Sequence, residues 1–221
     1  LVLPFESRML SVLRKSFPNG VTHAHRVIRC KSNQDKCAKN ALIILAPGAE
    51  EMEFTISADV LRRGKILVTV AGLHDCEPVK CSRSVVIVPD TSLEEAVTRG
   101  DYDVVVLPGG LAGNKALMNS SAVGDVLRCQ ESKGGLIAAI CAAPTALAKH
   151  GIGKGKSITS HPDMKPQLKE LYCYIDDKTV VQDGNIITSR GPGTTFDFAL
   201  KITEQLVGAE VAKEVAKAML W

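Results

Sequence analysis

Short runs of branched apolar residues alternate with segments of helical periodicity along most of this 221-residue chain. Runs of this length are typical of strands buried on both faces, and strands that alternate with helices form a mainly parallel sheet. We therefore predict an α/β fold, a flavodoxin-like three-layer sandwich with helices on both faces of the sheet. The predicted strands lie within residues 41–45, 66–72, 84–89, 103–110, 136–140 and 179–189.

Helical spacing of apolar residues predicts the covering layers. The predicted helices are residues 52–63, 93–97, 121–132, 142–148, 166–172, 195–207 and 210–220. Asp183-Gly184-Asn185 is a turn signal, which divides the last strand segment into a pair of strands.

One cysteine stands at a strand-to-helix junction. Cys141 directly follows the apolar run 136–140 and precedes a helix-forming segment in which Pro144 suits the first turn. A side chain in this position projects from the carboxyl edge of the sheet toward the positive end of a helix dipole, which lowers the pKa of a thiol. The junction predicts a reactive cysteine in a nucleophile elbow. A buried structural cysteine is the alternative interpretation.

Two further loops follow predicted strands and should meet Cys141, because ligands bind beyond the carboxyl ends of parallel strands. Gly109-Gly110 allows a close backbone approach. The loop after residue 45 carries Glu50, Glu51 and Glu53. We interpret Glu51 as ordinary charge at a helix N-terminus. Glu53 is a different case, since a carboxyl beside a thiol assists it only when protonated.

The cysteines and the charges narrow the functional class. The seven cysteines are scattered and form neither a CxxC pair nor a zinc-site spacing, which predicts a reducing compartment and no metal or other cofactor. No apolar run approaches the roughly 20 residues that cross a bilayer. Residues 1–40 contain eight Lys or Arg and only two acids, so the remainder is mildly acidic. Specific nucleic-acid binding is therefore not predicted.

The basic leader forms the first predicted segment, residues 1–38, and one domain follows over residues 39–221. Leu10, Leu13 and Phe17 fall at helical spacing with basic residues between them. This pattern is typical of a mitochondrial transit peptide, and a disordered basic tail is the alternative.

Seven motifs occur in a fixed order between residues 39 and 207: APGAEEME, VTVAG, CSRSVVIVPD, YDVVVLPGG, GLIAAICAAPTALA, SITSHP and ITSRGPGT. Together they resemble the ThiJ/PfpI superfamily and, within it, the group of parkinsonism-associated protein deglycases. The resemblance does not extend to the leader.

The resemblance implies a role for each matching position. Cys141 matches an oxidation-sensitive nucleophile that becomes a sulfinic acid, and Glu53 matches the protonated carboxyl that contacts it. Gly110 and Ala142 would donate backbone N–H groups to an oxyanion. The complete implied set is Cys141, Glu53 and His161 for catalysis, Gly109, Gly110 and Ala142 at the oxyanion, and Arg83 and Pro192 from a partner subunit.

Some implied features remain open at this stage. His161 matches a proton carrier, although a histidine before proline also serves in loop packing. The family is typically a homodimer, with the helix at residues 52–63 in the interface. Ala143 replaces the usual glycine of the elbow and could narrow the site. Val88 stands where the resemblance implies an interface cysteine, whereas Cys81 matches a second interface cysteine.

The resemblance implies two functions that use the same site. Both would protect the cell against oxidative stress. The first is an enzyme, a protein deglycase or glutathione-independent glyoxalase that acts on glyoxals and on methylglyoxal adducts of Cys, Lys and Arg. The second is a non-enzymatic redox sensor and chaperone-like cytoprotective partner. We expect a cytoplasmic location with leader-dependent mitochondrial and additional nuclear pools. Ala142 stands where sibling proteases have histidine, which argues against a Cys-His-Asp protease mechanism.

Overall fold

The computed structural model describes residues 38–221. The predicted leader, residues 1–38, lies outside this part except for its last residue. Within residues 38–221, no helix combines the length and the apolarity that spanning a membrane requires.

The strands are short, and most of them consist of branched or small apolar residues. In chain order they are β1 (Asn40–Leu45), β2 (Leu67–Gly72), β3 (Val79–Lys80), β4 (Val86–Ile87), β5 (Thr91–Ser92), β6 (Val104–Leu107), β7 (Leu136–Ile140), β8 (Ser157–Ile158), β9 (Cys173–Tyr174), β10 (Val180–Asp183) and β11 (Ile186–Ser189).

The helices follow the strands with short connections. They are α1 (Glu51–Arg63), α2 (Leu93–Thr98), α3 (Leu111–Asn119), α4 (Ser121–Ser132), α5 (Pro144–His150), α6 (Lys165–Leu168), α7 (Thr195–Val207) and α8 (Ala209–Ala218). Two single 3₁₀ turns occupy Pro162–Met164 and Pro192–Thr194.

A seven-stranded sheet organises the domain, in the order β10-β11-β7-β6-β1-β2-β5. Every pairing in it is parallel except that of β10 with β11. Because β1, β6 and β7 are adjacent and parallel, their carboxyl ends meet at one edge. The loops that follow these three strands carry the glutamates, Gly109-Gly110 and Cys141.

The sheet is buried on both faces. Alternate residues of β1 enter different cores: Leu42 and Ile44 pack in one apolar cluster, and Ile43 and Leu45 pack in the other. All four side chains are fully buried. This arrangement confirms the predicted three-layer α/β fold. It also explains why the strands lack a polar-apolar alternation.

Local patterns predicted several elements at their observed bounds, namely β7, α4 and α7. The segment 84–89 was predicted as a full strand, but it supplies only β4, which pairs with β3 outside the main sheet. Val86 and Val88 are exposed, and Ser84 adopts φ +71°, which ends a regular strand. The predicted helix 166–172 shrinks to α6. Helix α3 was not predicted, since Gly113 and Asn114 weaken its periodicity.

Candidate active site

Cys141 occupies a sharp elbow between β7 and α5. Its φ of +64° lies in the left-handed region, which non-glycine residues adopt only when their surroundings hold them there. Two backbone hydrogen bonds do so. Its N–H donates to the carbonyl of Ser189 at 3.0 Å, and its carbonyl accepts from the N–H of His161 at 2.9 Å. Cys141 is partly exposed, so the elbow leaves its side chain within reach of the pocket.

Backbone N–H groups from two loops point at the thiol. Gly110 and Ala142 both hydrogen-bond the sulfur, and this acts to lower its pKa. Gly110 has φ +89°, and a Cβ there would lie 2.4 Å from the carbonyl oxygen of Gly48. Glycine is therefore required for this donor to approach the sulfur.

Gly109 allows the three chain segments to come together. A Cβ at this position would lie 2.7 Å from Cys141 Cβ and 2.8 Å from Glu53 Oε2. Both contacts are shorter than packed atoms tolerate, so a larger residue would force the carboxyl and the thiol away from this loop. The close backbone approach predicted for Gly109-Gly110 thus has a steric basis at Gly109.

Glu53 approaches the thiol from the first turn of α1. Its side chain is fully buried, and Oε2 accepts a hydrogen bond from the N–H of Gly109 at 2.7 Å. The other oxygen, Oε1, has no nitrogen or oxygen partner among residues 38–221. Burial raises the pKa of Glu53 to about 7, and the nearby charge of Glu50 adds to this, while hydrogen bonds from Gly109 and Cys141 oppose it. The carboxyl can therefore hold or release a proton near neutral pH.

The pKa of the Cys141 thiol is raised to about 12, first by burial and then by the charge and the hydrogen bond of Glu53. The prediction of a pKa lowered by the helix dipole is wrong, because these effects outweigh the two N–H donors. Protonation of Glu53 removes the charge that opposes the thiolate. The thiol and the carboxyl consequently titrate as a pair.

The site opens into a pocket of about 540 Å³. Arg83 and Pro192 line this pocket together with Cys141 of the same chain. Both residues therefore reach the pocket of their own chain, and a contribution from a partner subunit stays a prediction. The lining comprises Gly48, Glu50, Ser82, Arg83, Gly110, Leu111, Ala112, Cys141, Ala142, His161, Asp163, Met164 and Pro192.

His161 lies in the same pocket with its side chain 44% exposed. Its Nδ1 accepts a hydrogen bond from the N–H of Asp163 at 3.3 Å and lies 3.5 Å from Asp163 Oδ2. Its backbone N–H holds the Cys141 carbonyl. The residue thus contributes to the packing of the loop and also brings an imidazole ring to the pocket.

Comparison with known proteins identifies the family of this chain. The family profile described as DJ-1/PfpI matches residues 39–205. The chain belongs to the DJ-1/PfpI family. Protein dj-1beta of Drosophila melanogaster is 68% identical over 183 residues, which cover 83% of this chain and 97% of that protein. Its crystal structure superimposes with a TM-score of 0.81, covering 83% of this chain and 98% of that one.

Two more distant members of the DJ-1/PfpI family are informative. Glutathione-independent glyoxalase DJR-1.2 of Caenorhabditis elegans is 44% identical over 183 residues, covering 82% of this chain and 96% of that protein. An oxidized DJ-1 of Toxoplasma gondii has a TM-score of 0.77 at 34% identity, covering 83% of this chain and 99% of that one.

Glu51 has a larger role than its position at a helix N-terminus suggested. It accepts hydrogen bonds from Ser82 Oγ at 2.7 Å and from the N–H groups of Arg83 at 2.7 Å and Val85 at 3.4 Å. Burial acts to raise the pKa of Glu51, but these hydrogen bonds outweigh it and lower the pKa. Glu51 therefore fixes the loop that brings Arg83 to the pocket. The sequence did carry a signal for this role: Glu50, Glu51 and Glu53 are more acids than the capping of one helix requires.

Of the two departures that the resemblance indicated, Ala143 is buried and Val88 is exposed. Ala143 is fully buried in an apolar cluster and is not part of the pocket lining. Its methyl group therefore does not narrow the pocket, which the sequence had left open. Cys81 is buried, and burial followed by the charges of Glu51 and Glu50 raises its pKa to about 11. Within residues 38–221, no group of three or more His, Cys, Asp or Glu side chains is placed to hold a metal ion.

Proposed function

We propose that this protein is a glutathione-independent glyoxalase that converts methylglyoxal into lactate at Cys141. The same site would act on other glyoxals and, as a protein deglycase, on early methylglyoxal adducts of Cys, Lys and Arg. One observation carries the proposal: the thiol faces two backbone N–H donors and a carboxyl group whose pKa is about 7. Kinship with the glyoxalase of Caenorhabditis elegans supports it.

The geometry supports a sequence of steps that needs neither glutathione nor an oxidant. Glu53 takes the thiol proton, and the sulfur adds to the aldehyde carbon to form a hemithioacetal. The N–H groups of Gly110 and Ala142 stabilise the oxyanion that develops. Glu53 returns the thiol proton to this oxygen. Glu53 or His161 then moves a proton from the former aldehyde carbon to the neighbouring carbon, while the hydroxyl proton passes to the former ketone oxygen, which produces a lactoyl thioester. Water hydrolyses the thioester, releasing lactate and the free thiol.

The size of the pocket supports activity on adducts as well as on free aldehydes. A pocket of about 540 Å³ lies within the range that holds drug-sized ligands, and methylglyoxal fills only a fraction of it. Arg83 and His161 stand at its wall, where a larger adduct would meet polar groups beyond the reacting carbon.

The enzymatic proposal is tested by lactate formation from methylglyoxal in chelator-treated buffer without glutathione. Cys141→Ser should reduce the rate to background. Glu53→Gln should reduce kcat by about a hundredfold, the usual contribution of a general base. Lactate formation that persists in Cys141→Ser, or a wild-type protein that forms no lactate, would overturn the proposal.

A second candidate function is redox sensing at the same thiol. Glu53 Oε1 has no hydrogen-bond partner in the described chain, and the Glu53 side chain contacts the thiol, so the protonated carboxyl can donate to a sulfur oxygen. Two successive peroxide molecules would each transfer one oxygen to Cys141, giving a sulfinic acid and two waters. Mild peroxide followed by peptide mass spectrometry tests this. Oxidation of Cys76, Cys129 or Cys173 before Cys141 would contradict it.

A homodimer accompanies the proposed function. Met52 at the start of α1 and Val86 and Val88 near β4 are 53%, 59% and 66% exposed. We propose that these apolar side chains contribute to the dimer interface. Met52→Glu combined with Val86→Lys should give a monomer by light scattering. Leu171→Glu, which changes an exposed leucine elsewhere, should not. A wild-type monomer would exclude the dimer.

The proposed locations are the cytoplasm, with a leader-dependent mitochondrial pool, and the nucleus. Residues 1–38 fused to a fluorescent reporter should direct part of it to mitochondria. A uniformly cytosolic signal from this fusion would contradict the transit-peptide interpretation.

A further inference from the structure

The two N–H donors that face Cys141 come from separate parts of the chain. Gly110 ends the loop after β6 and begins α3, whereas Ala142 follows β7 and precedes α5. The distance between these donors therefore depends on how α3 is held against α5. An oxyanion site loses its effect when its donors are displaced, because its value lies in their preorganisation.

Two buried polar side chains join these helices. Asn114 of α3 is 5% exposed and Thr145 of α5 is 2% exposed. Asn114 Nδ2 donates to Thr145 Oγ1 at 2.7 Å. The pair lies outside the pocket lining, so neither residue is placed to touch a substrate.

Each member of the pair also binds the residue that supplies one donor. The N–H of Asn114 donates to the carbonyl of Gly110 at 2.8 Å. Thr145 Oγ1 donates to the carbonyl of Ala142 at 2.8 Å, and the N–H of Thr145 donates to the same oxygen at 3.0 Å. A continuous set of hydrogen bonds therefore runs from one oxyanion donor residue to the other.

The orientation of the Asn114 amide follows from the chemistry of the hydroxyl. Thr145 gives its only proton to Ala142, so it can only accept from Asn114. The amide oxygen Oδ1 then has no partner within residues 38–221, and Nδ2 also lies 3.4 Å from Met118 Sδ. A buried amide oxygen without a partner opposes folding stability. Stability alone therefore gives a poor account of this asparagine.

We propose that Asn114 and Thr145 are positioning residues, which hold the N–H groups of Gly110 and Ala142 at the separation that the reacting oxygen requires. This inference rests on the proposed chemistry at Cys141. The two residues act through the backbone and do not contact the reacting atoms.

Matched substitutions at Thr145 test the proposal in the full-length protein. Thr145→Val keeps the shape and removes the hydroxyl, while Thr145→Ser keeps the hydroxyl. We expect Thr145→Val to lower kcat for methylglyoxal about tenfold with little change in KM, because a displaced donor costs less than a deleted one. The pH profile of Cys141 alkylation by iodoacetamide, followed by peptide mass spectrometry, should shift toward higher pH. Thr145→Ser should retain both wild-type values, and Asn114→Leu should resemble Thr145→Val.

A control separates positioning from a general loss of stability. Thr203 in α7 is fully buried and donates from Oγ1 to the Ala199 carbonyl at 2.9 Å, outside the pocket. Thr203→Val should lower Tm as Thr145→Val does, yet leave kcat and the alkylation profile unchanged. The proposal is overturned if Thr145→Val lowers Tm but leaves kcat and the alkylation profile unchanged. It is also overturned if Thr203→Val shifts the alkylation profile as much as Thr145→Val does. Because alkylation needs no turnover, this readout decides the point even where methylglyoxal is not a substrate.

Discussion

The carboxyl group of Glu53 is buried directly beside the thiol of Cys141, and the two groups shift each other's pKa in opposite directions. The charge of Glu53 raises the pKa of the thiol, while the hydrogen bond from the thiol acts to lower the pKa of the carboxyl, which burial still holds at about 7. Near neutral pH the thiol therefore stays protonated, while the carboxyl in contact with it changes between its charged and neutral forms. This relationship leads to the first two predictions.

Glu53→Gln should make Cys141 easier to ionise while it slows turnover. The substitution removes the negative charge that raises the thiol pKa, so the pH profile of alkylation at Cys141 should shift toward lower pH. Peptide mass spectrometry after iodoacetamide treatment measures this. Glu94→Gln, at an exposed carboxyl, is the control and should leave the profile unchanged. An unchanged profile in Glu53→Gln would show that the charge does not act on the thiol.

The stability of the protein should fall as the pH rises through the pKa of Glu53. Since that pKa is raised from 4.5 to about 7 in the folded state, its contribution is fully present below pH 4.5 and is lost as the pH passes 7. Between pH 5 and pH 8, wild type should lose about 2.5 kcal/mol of unfolding free energy relative to Glu53→Gln. Urea unfolding at both pH values measures the difference. Parallel changes in the two proteins would argue against a raised pKa.

Gly110→Ala should damage both the fold and the site. The new Cβ would lie 2.4 Å from the Gly48 carbonyl oxygen, at a φ of +89° that alanine adopts with strain. We expect a loss of about 1–3 kcal/mol of unfolding free energy and a strong fall in lactate formation. Gly134→Ala is the control: its φ is +68°, but no atom lies within 4 Å of the added Cβ. Equal effects in both variants would attribute the loss to backbone strain alone.

Glu51→Ala should release the loop that carries Arg83. Glu51 receives hydrogen bonds from Ser82, Arg83 and Val85, so its removal frees this segment from α1. We expect KM for a methylglyoxal adduct of N-acetylcysteine to rise about fivefold, the equivalent of one net hydrogen bond. The kcat for methylglyoxal should remain near that of wild type. Hydrogen exchange of residues 81–85 measures the loop directly, and unchanged protection there would contradict this role.

Much of the fold could be predicted because the relevant information is local. The branched apolar run before Cys141 and the helical spacing in α4 and α7 depend only on neighbouring residues, and these elements appear at their predicted bounds. Helix α3 escaped prediction because its first turns contain glycine and asparagine. Packing against α5 stabilises it where its own propensity is weak.

The sequence by itself determined that Cys141, Gly109-Gly110 and the glutamate loop lie at one edge of a parallel sheet, because strands that alternate with helices run parallel and end at the same edge. Only the tertiary structure decided what these groups do to one another. The thiol pKa is raised rather than lowered, because burial and the Glu53 charge exceed the pull of two N–H groups. Arg83 reaches the pocket of its own chain, because Glu51 holds its loop. Burial and electrostatic coupling depend on distances between residues far apart in sequence, and these distances exist only once the chain has folded.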